Sequence, residues 1–167
     1  MSFLELCKKR CSVRGYLPDE VPQDKLDYIL ECARHAPSAA NRQPWKVHLL
    51  QGEARQRLLA AYERPWFAEA PILVAFTGQR HNNWVRGDGT DYLMCDTAII
   101  CDHFTLAAAE VGLGTCWIGA FDKDVARDVL GLAPDEEVFY LSPLGYAKAD
   151  STRVKSRKSV EEIVVRW

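Results

Sequence analysis

The 167-residue sequence lacks most of the short motifs that tie a chain to one chemistry. No CxxC pair occurs. The six cysteines (Cys7, Cys11, Cys32, Cys95, Cys101 and Cys116) lack the two-before-two spacing of zinc or iron–sulfur ligands. His35, His48, His81 and His103 lack a metal-ligand spacing such as HxxxH, so no metal site is expected. GxGxxG and GxxxxGK[ST] are absent, which removes the usual dinucleotide and P-loop phosphate turns. "GLGTCWIG" holds a GxG, but it follows a helix and precedes a strand, the reverse of a Rossmann turn. There is no GxSxG elbow and no recognisable Ser–His–Asp or Cys–His set. No apolar run approaches the roughly 18 residues that span a bilayer, and the opening "MSFLELCKKR" lacks a hydrophobic signal core. A net charge of −2 gives no global basic field for nucleic acid. These absences point to a cytoplasmic protein with reduced, mostly buried and inert cysteines.

What remains reads as one domain over residues 1–167, long enough to bury a core without staples. Helices are expected at 3–10, at 22–35, at about 53–64, at roughly 90–111 and from the N-cap Asp122 to Gly131. Strands are expected at 46–51, at 70–78 ("APILVAFTG", an apolar run suited to a buried central strand) and around "TCWIGAF". A last strand, "EEVFYLSPLGYA", is expected to break at Pro143. Helices and strands mix without regular βαβ alternation, which favours an α+β class or an irregularly ordered α/β sheet. The 90–111 helix is apolar on several sides and should be buried, in the domain or between subunits.

Two basic clusters stand out against the acidic balance. "RCSVR" places Arg10, Ser12 and Arg14 at a helix exit, a charged fork and neutral donor of the kind phosphate takes. A solvated helix end explains it equally well. "RVKSRKS" supplies Arg153, Lys155, Arg157 and Lys158, either a solvated tail or a second half of the same phosphate site. Between the second helix and the first strand lies "RHAPSAANRQPW", richer in small and polar residues than a connector requires. Pro37 stops the helix and Pro44 starts the chain toward the strand.

Five ordered pieces resemble the flavin-dependent nitroreductase family: "RCSVRGY", "APSAANRQPW", "AAEVGLGTCWIGAFD", "SPLGYA" and "KSRKSVEEIV". The resemblance spans nearly the whole chain. It implies an α+β fold with a mixed, mostly antiparallel central sheet, in an intertwined homodimer that holds FMN in two equivalent interface clefts. It implies an FMN-dependent oxidoreductase that takes hydride from NADH or NADPH and reduces nitroaromatic or quinone-type acceptors by ping-pong transfer through flavin N5. Carried over by position, Arg10 and Ser12 hold the phosphate and ribityl chain, and Arg14 lies by the ribityl–pyrimidine side. Lys155 and Arg157 match a C-terminal K-x-R pair at the phosphate. Pro37, Ser38, Ala39 and Asn41 line the flavin from the other subunit. Gly119 and Ala120 present backbone N–H groups near N5 and O4. The flavin is the reactive group, so no catalytic side chain is assigned.

Alternatives within the resemblance are specialised flavin chemistry, such as dehalogenation or dehydrogenation, and a flavin-storage or redox-sensing protein. The chain departs from the family in two ways. It is short, with little room over 65–90 for a covering insertion, and "RPWFAEAP" lacks an Asn for the pyrimidine edge. Trp66, Phe67 and Trp84 are candidate walls of a substrate cleft, or core and surface residues.

Overall fold

The computed structural model describes residues 1–167. In chain order the elements are α1 (Phe3–Lys9), α2 (Gln23–Arg34), β1 (Trp45–Leu50), α3 (Gly52–Leu58), α4 (Pro65–Glu69), β2 (Ile72–Gln79), α5 (Leu93–Glu110), β3 (Gly114–Thr115), α6 (Lys123–Leu130), β4 (Glu136–Gly145) and α7 (Val160–Ile163). The strands form one sheet of order β1-β2-β4-β3 with antiparallel ladders throughout. Its parallel component is an isolated bridge between Ser12 and Thr115, which lays the 10–16 segment beside β3.

β2 sits inside the sheet and is buried on both faces, as its unbroken apolar run requires. Ile72, Val74 and Phe76 face α2 and α5, meeting Leu26, Ile29, Ile100 and Phe104. Leu73 and Ala75 face the other way, toward Leu58, Phe67, Ile118 and Ala126. The sheet is therefore the middle of three layers. The caps follow the sequence: Asp122 accepts the N–H groups of Asp124 and Val125, and Gly131 ends α6 at a left-handed φ of 61°.

Three local expectations are corrected. The helix expected at 53–64 ends at Leu58 and gives way to a 3-10 turn at 59–61, and a short helix that was not expected, α4, opens just beyond it on Pro65. Pro65 suits a first helical turn but cannot continue a helix already begun. Pro143 does not break β4. Leu141 exchanges both backbone hydrogen bonds with Ile118, so the alternating pattern turns the Pro143 nitrogen to that same side. There β3 has ended at Thr115, and the missing N–H falls in the gap before Ile118. The cysteines are all free, but only Cys101 and Cys116 are buried, while Cys7 and Cys95 are exposed. No helix is long and apolar enough to cross a membrane.

Candidate functional site

The segment after α1 is pinned from both sides. Val13 N–H donates to the Thr115 carbonyl at 2.9 Å, and Arg14 N–H to the Ser151 carbonyl at 2.9 Å. Tyr16, buried, donates its hydroxyl to the Val13 carbonyl at 2.8 Å and its N–H to the Glu69 carboxylate at 3.0 Å. Gly114 lets this segment approach β3 so closely, because an added Cβ would stand 2.8 Å from Val13 Cγ2. With Val13 fixed inward, alternation turns Arg10, Ser12 and Arg14 to the other side.

There they meet the chain's far end. A cleft of about 200 Å³ is lined by Arg10, Ser12, Arg14, Arg153, Lys155 and Arg157, and no carboxylate lines it. None of these five cations forms an ion pair. The two basic clusters of the sequence thus converge. Lys155 ties them together, because its ammonium donates to the carbonyls of Cys7 (2.9 Å), Lys8 and Arg10 (2.8 Å). It caps the negative C-terminal end of α1 and staples the tail to it. Arg157 donates to the Ser156 carbonyl. Cys116, one of the cysteines expected to be buried, is buried close by. Burial pushes its thiol up, opposed by Arg14, by a hydrogen bond with Ser12 and by Arg10.

The 37–44 loop is a second, separate construction. Ser38 is extended, and a 3-10 turn covers Ala39–Asn41. Ala40, Asn41 and Gln43 take φ values of 51°, 53° and 48°. Left-handed backbone costs a non-glycine residue roughly 1–2 kcal/mol, so the surroundings must impose it. They do. Ser38 Oγ accepts Gln43 N–H at 2.9 Å, Asn82 donates to the Arg42 carbonyl at 2.6 Å, and Arg42 donates to the Asn83 carbonyl at 3.1 Å. Asp96, in the first turn of α5, accepts Ala39 N–H at 2.9 Å. Asn82, Asn83 and Asp96 escaped sequence reasoning, although an acid among the apolar residues of α5 was a visible signal. Pro37, Ala40 and Asn41 are exposed.

Gly119 and Ala120 lie on the exposed turn that follows the Ile118 bridge. Their N–H groups have no backbone partner within the chain. A Cβ on Gly119 would meet nothing within 4 Å, so the backbone there is open to close approach. Of the candidate walls, Phe67 is core, Trp66 packs edge-on against Tyr62 and Phe67, and Trp84 packs against Tyr92 at 4.9 Å.

The loop and the cationic cleft do not meet within one chain. Asp96 holds the loop near the start of α5, whereas Ala109 near its end lies beside Arg10 and Thr115. The helix between them is about 20 Å long. The sequence-predicted residues therefore fall in three places: Arg10, Ser12, Arg14, Lys155 and Arg157 at the cleft, Pro37, Ser38, Ala39 and Asn41 in the loop, and Gly119 and Ala120 on the turn after Ile118.

Known proteins share this arrangement of elements. The structure of a nitroreductase family protein from Clostridium difficile 630 superposes with a TM-score of 0.90 at 32% identity, covering 99% of this chain and 98% of that one. An FMN reductase [NAD(P)H] of Bacillus subtilis is 28% identical over 169 residues, spanning 92% of this chain and 68% of that protein. A shorter stretch of 56 residues is 48% identical to the nitroreductase NfnB of Mycolicibacterium smegmatis, 34% of this chain but 24% of that protein. The pattern of the Nitroreductase family matches residues 7–63 and 57–146, which takes in the first cationic cluster, the strained loop, α5 and all four strands. On this match and the shared fold, the chain belongs to the nitroreductase family.

Proposed function

We propose that the protein is an FMN-dependent NAD(P)H oxidoreductase, working as a homodimer with one FMN in each of two clefts between subunits. The observation that carries this reading is the carboxylate-free cleft of Arg10, Ser12, Arg14, Arg153, Lys155 and Arg157. Like charges gathered without counter-ions repel one another, so the arrangement is suited to an external anion. A phosphate monoester fits this donor set, with guanidinium forks for its oxygens and a hydroxyl for a neutral contact. Arg10, Ser12, Arg14 and Arg157 hold the phosphate and ribityl chain. Lys155 orients Arg10 by fixing the end of α1 and brings the tail to the cleft.

Pro37, Ser38, Ala39 and Asn41 come from the second copy, since the loop lies a helix-length from its own cleft. Unburied apolar surface supports such a dimer: Phe3, Leu4 and Met94 are exposed, and Ile99 and Leu106 are half-buried along α5. Phe3, Leu6 and Leu106 also border a cavity of about 260 Å³ at α1 and α5. Past β4 the tail carries exposed Val160, Ile163, Val165 and Trp167, an apolar arm suited to lying across a partner.

When bound, FMN supplies a ring that accepts hydride from NADH or NADPH at N5 and passes it, in ping-pong order, to a nitroaromatic or quinone-type acceptor. The chain's own groups bind and tune. The free N–H groups of Gly119 and Ala120 are donors for the N5–O4 edge. The small side chains of Ser38 and Ala39 let backbone approach the ring face. We place this activity in the cytoplasm, where nicotinamide donors and reduced thiols are maintained.

Anaerobic reduction tests the reading. Protein reconstituted with FMN should bleach with NADH or NADPH and regain colour with a nitroaromatic or quinone. Failure to bind FMN at all sinks the proposal. Flavin that binds but resists both nicotinamides points instead to storage or redox sensing.

A further inference from the structure

The loop assigned to the flavin holds three left-handed non-glycine residues, and its contacts are unequal. Ser38, Asn41 and Gln43 bond only within the loop, Arg42 bonds with Asn82 and Asn83 of the turn that follows β2, and the Pro44 carbonyl accepts Gln79 N–H at 2.7 Å only where the loop runs into β1. Asp96 alone reaches the loop from a long helix packed on the sheet. It is 1% exposed, its Oδ1 accepts Ala39 N–H at 2.9 Å, and its Oδ2 accepts nothing. A half-satisfied buried carboxyl is a poor way to fill space, because an apolar side chain would pack there without an orphaned oxygen. Its one bond ends on the first residue of the 3-10 turn, immediately before Ala40 and Asn41 enter the left-handed region.

We propose that Asp96 is the positioning residue of this loop: it fixes Ala39 to α5, and through Ala39 it sets the placement of Ala40 and Asn41 against the flavin of the other subunit. The inference rests on the FMN reading given above. Asp96 touches no flavin. It converts the rigidity of α5 into loop geometry.

The test uses full-length apoprotein titrated with FMN, with Asp96→Ala, Asp96→Asn and Ala39→Pro as variants. Asparagine keeps an acceptor for Ala39 N–H and offers a donor in place of the orphaned oxygen. Asp96→Ala should raise the FMN Kd about tenfold, the effect of one hydrogen bond to a charged group, and should change the visible circular dichroism of bound flavin. Asp96→Asn should bind within about twofold of wild type by the same argument. Ala39→Pro removes the donor from the loop side and should weaken binding like Asp96→Ala, with no further loss in the double variant. It also carries the test if Asp96→Ala does not fold.

Wild-type affinity in Asp96→Ala or Ala39→Pro overturns the proposal, and so does Asp96→Asn binding as weakly as Asp96→Ala. If wild type itself binds no FMN, the flavin reading fails, and the clamp is judged on apoprotein. Hydrogen exchange at the Ala39 amide should then accelerate in Asp96→Ala and not in Asp96→Asn. Unchanged exchange in both refutes it.

Discussion

Replacing Gly114 with alanine should damage the cationic cleft without touching any residue that lines it with charge. The new Cβ would stand 2.8 Å from Val13 Cγ2, 3.0 Å from Val13 Cβ and 3.1 Å from Val13 Cγ1. Ordinary carbon contacts begin near 3.5 Å. Val13 is 3% exposed and β-branched, so it has no free rotamer into which to retreat. Relief must come from the backbone, by stretching the 2.9 Å bond from Val13 N–H to the Thr115 carbonyl. Overpacking of this kind costs about 1–3 kcal/mol, or roughly 2–12 °C in Tm for a chain of this length. Because Val13 lies between Ser12 and Arg14, the same shift should weaken FMN binding several-fold. Thermal melting of apoprotein and FMN titration read the two effects separately. Adding Val13→Ala removes both Cγ contacts, and the cost of Gly114→Ala measured in that background should fall by at least half. Full wild-type stability and affinity in Gly114→Ala would refute the steric argument, as would simple additivity with Val13→Ala.

Further outcomes follow from the same geometry. Arg10→Ala should weaken FMN binding by about 1.5–3 kcal/mol, the scale of a charge-assisted hydrogen bond, and should reduce its salt dependence; a titration at two ionic strengths measures both. Glu136 is buried, and its bonds with Lys46 and Gln79 hold its carboxyl below the usual value of 4.5. A depressed folded value gives stabilisation that is present above pH 4.5 and lost as pH falls through the folded value. Lys46→Met should therefore lower Tm at neutral pH, by roughly 2–4 °C for a loss of ~1 kcal/mol, with the gap closing below pH 4.5; a constant gap contradicts the assignment. Leu106→Glu, on the half-buried side of α5, should convert the proposed dimer to monomer in sedimentation and release flavin.

How much of this was legible depended on how local each cause was. The run over 70–78 announced β2 because burial on both faces leaves no polar position to alternate with. Asp122 and Gly131 marked α6 because capping is settled within a few residues. Pro143 misled because its cost depends on what lies across the strand, and the sequence does not say that β3 stops at Thr115. The 59–61 turn was merged into the helix before it because Ala and Leu fit either. The convergence of Arg10 with Arg157 rests on long-range pairings such as Arg14 with Ser151; residue types alone offered one shared phosphate site beside a bland reading of each cluster, and likeness to a family favoured the first. Asp96 was visible as an acid among apolar residues but passed over, because an acid on a helix ordinarily reads as solvent-facing.

The separation of loop and cleft along α5 has a genetic consequence. In the proposed dimer, a variant that damages the cleft and one that damages the loop are each defective at both sites. Pair one copy of each, and both lesions fall on the same site, leaving the other built wholly from intact parts. Refolding an equal mixture of Arg10→Ala and Ala39→Pro chains should give roughly a quarter of the sites wild-type FMN affinity, which neither variant has alone. Two impaired alleles of this gene, one lesioned in the cleft and one in the loop, should complement one another.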